Sequence, residues 1–219
     1  MHPRHAGWPV LEDPPGGWKE ATVALTEQGY AVLPGALPEL AWRGLRTEAG
    51  DLFERDAFRA ARVGRGDGVR TDGPTRGGSV CWLDGSMVAG EALMVWMNGL
   101  RMALNHELFL GLESFEAQYA KYPVGAAYEA HVDRHLGSTA RVVSAVLYLN
   151  AEWPSDAGGE LVIYDAKQVP CLMLSPCGGT LVLFMSAGTV HEAKRASRER
   201  WSIAGWFRAP GSGALRSVR

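Results

Sequence analysis

The chain has 219 residues, enough for one large domain with a substantial apolar core. Hydrophobic residues make up 47% of it and charged residues 21%, which excludes a disordered or fibrous protein, and a net charge of −2 argues against a general nucleic-acid binder. Three cysteines (Cys81, Cys171 and Cys177) fit no zinc spacing and read as free, buried thiols in a reducing cytosol.

Residues 1–17, with Pro14-Pro15-Gly16-Gly17, read as a loose N-terminal arm. No apolar run follows Met1, so no secretory leader is expected and a cytoplasmic location is. The pattern from Trp18 to Gln28 predicts a helix closed by Gly29, and Tyr30–Leu33 a short strand stopped by Pro34-Gly35. Pro38–Arg55 predicts a second helix, with Leu40, Leu45 and Leu52 among its apolar positions. Residues 62–80 interleave Arg62, Arg65, Arg70 and Arg76 with glycines. That stretch packs no core by itself. It reads either as a flexible surface loop or as a lid that grips substrate. A long helix is predicted from Ser86 to Leu110. Asn98, Arg101, Asn105, His106 and Glu107 interrupt its apolar run, so it does not span a bilayer and no membrane partner is expected.

After residue 113 the texture changes. Strands are predicted at Glu116–Tyr122, Tyr128–Val132, Val142–Leu149, Glu160–Tyr164, Thr180–Phe184 and Ser202–Phe207, with turns at Pro123-Val124-Gly125, Gly158-Gly159 and Pro176-Cys177-Gly178-Gly179. Many short strands imply a sandwich or barrel. The expected organisation is one domain over 1–219: helical support at 18–112, a sheet core at 113–209 and a tail from 210 to 219.

His131-Val132-Asp133 lies at the end of a predicted strand, where residues i and i+2 share a face. His191 follows the apolar strand Leu181-Val182-Leu183-Phe184 and can return a second imidazole to the pair. Two histidines and one carboxylate make the facial triad of non-haem Fe(II) oxygenases, and His₂-carboxylate sets also serve hydrolytic zinc. Arg200, nine residues after His191, separates the two. A 2-oxo diacid chelating iron needs a cation at its far carboxylate, and arginine offers a rigid fork; a zinc hydrolase needs none. The plain alternative is a surface arginine beside Lys194, Arg195 and Arg198. His135 reads as a solvated loop residue, and Trp8, Trp18, Trp42 and Trp96 as packing residues.

The segments Tyr122-Pro123, Tyr128, His131-Val132-Asp133, Arg141, Leu147-Tyr148-Leu149-Asn150, Gly158-Gly159-Glu160-Leu161, His191-Glu192, Arg200 and Gly205-Trp206-Phe207 together resemble the prolyl 4-hydroxylase branch of the 2-oxoglutarate/Fe(II) dioxygenases. Upstream, Arg70-x-Asp72 and Trp82-Leu83-Asp84-Gly85 resemble the hypoxia-sensing type and its bacterial relatives. The resemblance implies a mostly β fold with supporting helices: a double-stranded β-helix (jelly roll, cupin-like) with N-terminal helices packed on one sheet. It implies Fe(II) on His131, Asp133 and His191, and 2-oxoglutarate held by Arg200 and Tyr148 in a pocket lined by Tyr128. O2 is the second co-substrate and ascorbate a reductant. Arg70, Asp72, Arg141 and Trp206 match positions near the substrate, and residues 62–80 match a loop that folds over a bound peptide. The implied activity is hydroxylation of a prolyl residue in a protein, for example in the translation machinery. A small-molecule hydroxylase and a non-catalytic binding or oxygen-sensing module are the rival readings. Ala204 departs from the hypoxia-sensing type, which has a hydroxyl residue there.

Overall fold

The computed structural model describes residues 8, 11–14, 16–61, 77–133 and 140–210. Among them run α1 (Lys19–Gln28), β1 (Tyr30–Leu33), α2 (Glu39–Glu54), β2 (Arg59–Ala60), β3 (Ser79–Trp82), α3 (Val88–Leu108), β4 (Ser114–Tyr122), β5 (Tyr128–His131), β6 (Arg141–Tyr148), β7 (Leu161–Tyr164), β8 (Pro170–Leu174), β9 (Leu181–Met185), β10 (His191–Ala193) and β11 (Arg200–Arg208).

The helices begin and end where local chemistry dictates. Gly29 takes the left-handed conformation (φ +80°) and returns its N–H to Leu25 O at 3.1 Å, closing α1. Helix α3 buries Leu93, Trp96, Met97, Leu100 and Leu104 at helical spacing. It stops at Phe109, and the Asn105 side chain then exchanges hydrogen bonds with both backbone groups of Leu112. The start of α3 is held from outside. The Glu48 carboxylate of α2 accepts from the N–H groups of Ala89 and Gly90, both at 2.8 Å, and from the Tyr119 hydroxyl of β4 at 2.7 Å. A side chain on one helix thus caps the positive end of another.

A seven-stranded sheet runs β1-β9-β6-β11-β4-β3-β2 and a four-stranded sheet β5-β10-β7-β8, each antiparallel throughout. Period-two alternation gives the large sheet two apolar faces. Leu147, Leu181, Leu183, Trp201, Ile203 and Phe207 pack against the helices, while Tyr148, Val182 and Phe184 meet Leu161 and Ile163 of the small sheet. Gly205 has no side chain because the Phe115 ring fills the space a Cβ would need.

Several expectations are corrected. Ser79 and Val80 belong to β3, so the segment expected to be loop through residue 80 ends earlier, in pairing with Lys121 and Ala120 of β4. Residues 62–76 of that segment lie outside the described residues, as do Arg70, Asp72, His135, most of the N-terminal arm and residues 211–219. Strands β2, β3, β8 and β10 were not expected. Cys171 and Cys177 are exposed, because β8 is an edge strand and Cys177 sits in a surface turn, so only Cys81 is a buried thiol. Trp18, Trp42 and Trp96 are buried as expected. No helix among the described residues is long and apolar enough to cross a membrane.

Candidate active site

The register of the small sheet closes a gap of sixty residues (191 − 131). His191 on β10 is the cross-strand partner of His131 on β5, and the two rings sit with centroids 4.2 Å apart. Asp133 lies in a bend just past the end of β5, so strand alternation alone does not aim it. Two donors of the large sheet do so instead. The Ser144 hydroxyl of β6 donates to Asp133 Oδ2 at 2.7 Å, and Trp206 Nε1 of β11 donates to the same oxygen at 2.9 Å. Oδ1 is left facing the histidines, 3.4 Å from His131 Nε2 and 3.8 Å from His191 Nε2.

The imidazoles are oriented by the backbone. His131 Nδ1 lies 2.8 Å from Glu129 O and His191 Nδ1 lies 3.2 Å from Thr189 O. A carbonyl only accepts, so each Nδ1 carries the proton and each Nε2 offers a lone pair. One ligand atom from each of the three residues lies within 4.8 Å of the others. Two imidazole nitrogens and one monodentate carboxylate oxygen, each braced from behind, are a donor set that fits a divalent transition metal with open positions.

The protonation states agree. Burial alone would raise the Asp133 carboxyl, but the adjoining His131 and His191 and the donors Ser144 and Trp206 outweigh it and hold the group well below the usual carboxylate range. Burial pushes His191 down, with Asp133 opposing, which favours the neutral imidazole a metal requires.

Beside the triad lies a cavity of about 90 Å³ lined in part by Tyr128, Asp133, Tyr148, His191, Arg200 and Trp206. His131 joins it through its ring, 4.0 Å from that of Tyr128. Alternation along β11 sends Arg200, Ser202, Ala204 and Trp206 to this side. Arg200 is only 3% exposed. Its Nη1 donates to Gly159 O at 2.9 Å and more weakly to Lys194 O at 3.4 Å, and its guanidinium lies 4.7 Å from the Tyr122 ring centre. Among the described residues no carboxylate pairs with it. An unpaired buried cation is costly, so the cavity suits a carboxylate brought by a ligand. Tyr148 is buried next to Arg200, and burial pushes its phenol up to about 12, so it stays a neutral donor.

Arg141 stands outside the cavity. It stacks on the Trp206 ring at 3.6 Å and pairs with Glu116 at 2.9 Å, while Trp82 lies against the same ring system with centroids 6.1 Å apart. Sequence reasoning missed Ser144, and it named Tyr122 and Gly159 only among the resembling segments, without a part in holding Arg200. Ser202 could have been found, since it sits two residues after Arg200 on the same face.

The family profile of the 2OG-Fe(II) oxygenase superfamily matches residues 117–208. A prolyl-4-hydroxylase of Pseudomonas putida is 35% identical, with 89% of this chain and 100% of that one covered and a TM-score of 0.78. A prolyl hydroxylase from Trichoplax adhaerens, solved with a hypoxia inducible factor peptide fragment, is 23% identical over 87% and 88% of the two chains, with a TM-score of 0.79. A viral collagen prolyl hydroxylase of Paramecium Bursaria Chlorella virus-1, solved with 2-oxoglutarate, is 17% identical over 84% and 98%, with a TM-score of 0.58. No curated protein matches the chain by sequence. The chain belongs to the 2OG-Fe(II) oxygenase superfamily, in its prolyl 4-hydroxylase branch. It is a 2-oxoglutarate-dependent dioxygenase on a double-stranded β-helix, and the family works with Fe(II), 2-oxoglutarate and O2.

Proposed function

We propose that this enzyme hydroxylates a prolyl residue of a protein, with iron on His131, Asp133 and His191 and 2-oxoglutarate anchored by Arg200 and Tyr148. The observation that carries the reading is Arg200, buried to 3% exposure beside the triad, with carbonyl and aromatic partners and no paired carboxylate among the described residues. The 35% identity to a prolyl-4-hydroxylase supports proline as the target.

Bound Fe(II) supplies the redox chemistry by which O2 oxidatively decarboxylates 2-oxoglutarate to succinate and CO2 and places the second oxygen atom in a C–H bond of the substrate. The protein's own residues supply geometry. His131, Asp133 and His191 present three ligand atoms on one side and leave the other side open. Arg200 pairs its fork with the far carboxylate, and Tyr148 donates its proton to the same group. Leu161 and Val146 line the walls and help exclude water. Trp206 links the two regions: its indole N–H holds Asp133 while its ring carries Arg141, and a prolyl segment would lie beside this pair.

The test starts with metal-free protein. Fe(II) is added anaerobically, 2-oxoglutarate is titrated, and the weak visible charge-transfer band of an Fe(II)–2-oxo-acid chelate is followed. A saturable band is expected, and Arg200→Ala should raise the 2-oxoglutarate concentration for half-saturation roughly 10–100-fold, the worth of a charge-assisted pair. An unchanged requirement would remove Arg200 from the anchor. Prolyl peptides should then stimulate 2-oxoglutarate turnover above free proline; stimulation by free proline alone would favour a small-molecule hydroxylase.

A further inference from the structure

On the opposite face of β11 lies a second cavity, of about 490 Å³. Alternation separates the two: Arg200 lines the first and Trp201 the second. Trp42 of α2 and Trp201, both buried, form its floor, and the half-buried Trp153 forms one side. Three arginines rim it, each set against a tryptophan. Arg43 lies 4.9 Å from the Trp42 ring centre, Arg46 3.9 Å from that of Trp201 and Arg198 5.7 Å from that of Trp153.

The charge on this rim is poorly compensated. Glu199 is the carboxylate that lines the groove, and it is largely spent: Lys121 Nζ lies 3.0 Å from one oxygen and Trp201 Nε1 donates to the other at 2.5 Å. Arg46 reaches Glu199 only at 3.8 Å. Arg198 donates to the Glu152 carbonyl. Arg43 alone has a close carboxylate, Glu39 at 2.6 Å. A cationic rim has therefore gathered on a chain whose net charge is −2.

We propose that this groove docks an acidic segment of a polypeptide, with carboxylates on the arginine rim and an apolar side chain on the tryptophan floor. The floor decides between anions. Phosphate or a nucleic-acid backbone would leave the aromatic floor unused and would find too few cations to neutralise it. A segment that alternates acidic and apolar residues uses both, with arginine forks for its carboxylates. The volume is several times that of the first cavity, which suits side chains from consecutive residues. Because the two cavities open on opposite faces of β11, a docked segment leaves the metal site accessible.

The experiment is fluorescence anisotropy with the whole protein and a short labelled peptide rich in Glu with interspersed Leu, beside its Gln counterpart. The Glu peptide should bind, at least roughly tenfold more tightly than the Gln peptide, and more weakly as NaCl rises. Arg43 and Arg198 are exposed, so Arg43→Gln with Arg198→Gln keeps the fold. That pair should lower affinity about tenfold or more. Saturating Fe(II) and 2-oxoglutarate should not displace the peptide. Equal binding of the Gln peptide, or an unaltered affinity in the double variant, overturns the proposal. So does tighter binding of ATP or inorganic phosphate than of the Glu peptide, which would define a small-polyanion site. Binding needs neither iron nor 2-oxoglutarate, so a negative result leaves the catalytic reading standing.

Discussion

In the large sheet, β4, β6 and β11 have eight or nine residues and lie on three helices; in the small sheet, β5, β7, β8 and β10 have three to five and no helical backing. The apolar layer between large sheet and helices holds fully buried Leu45, Leu93, Leu100 and Phe207, whereas the layer between the sheets is small. Yet both histidines of the triad stand on the small sheet. The thick layer provides the stability, and the thin layer leaves room for ligands. What keeps the thin side in register is polar: Ser144 and Trp206 reach across from the large sheet to Asp133.

Three substitutions break this comparison at different places. The largest effect is expected for Asp133→Ala, which removes a proposed ligand while leaving the helical layer intact. Turnover of 2-oxoglutarate should vanish and the charge-transfer band with it, while the thermal midpoint of the metal-free protein stays within a few degrees, as about 1 kcal/mol allows in a domain this size. A large loss of midpoint would mean that the thin side carries global stability. Next is Leu100→Ala, at a site with no exposed surface in the thick layer. A loss of about 3–4 kcal/mol is expected in urea unfolding, with 2-oxoglutarate saturation unchanged in the folded fraction. A shifted saturation would show that the helices tune the site. Smallest is Ser144→Ala, which leaves Asp133 with Trp206 as donor. Metal affinity by competition with a chelator should fall roughly tenfold, the low end for a lost outer hydrogen bond; no change would assign the orientation of Asp133 to Trp206 alone.

Legibility in the sequence follows the same division. The helices were readable within two residues at each end, because apolar spacing and Gly29 are local signals. Strands β4, β6, β9 and β11 were readable because they are long or continuously apolar. Strand β8 opens on Pro170, and its exposed Cys171 and Met173 are as apolar as its half-buried Leu172 and Leu174, so the burial alternates while the sequence does not; an edge position tolerates the proline. Strand β10 has three residues, too few for any period. The triad and Arg200 were readable as residue types in order along the chain. Their bracing was not, because Ser144 meets Asp133 only through the folding of one sheet onto the other, and the Gly159 carbonyl that holds Arg200 is a main-chain group that no residue type announces.

Glu48 has a consequence for protein engineering. Its carboxylate fixes the start of α3 from α2, and the Ala61 N–H donates to Gly78 O where β2 pairs with β3. The chain on either side of residues 62–76 is therefore anchored independently of what lies between. A flexible graft between these two anchors would cost only a slow, logarithmic rise of closure entropy with its length. The frame is a splice point: segments of other lengths can be exchanged between residues 61 and 77 while the triad and the helical layer are left as they are.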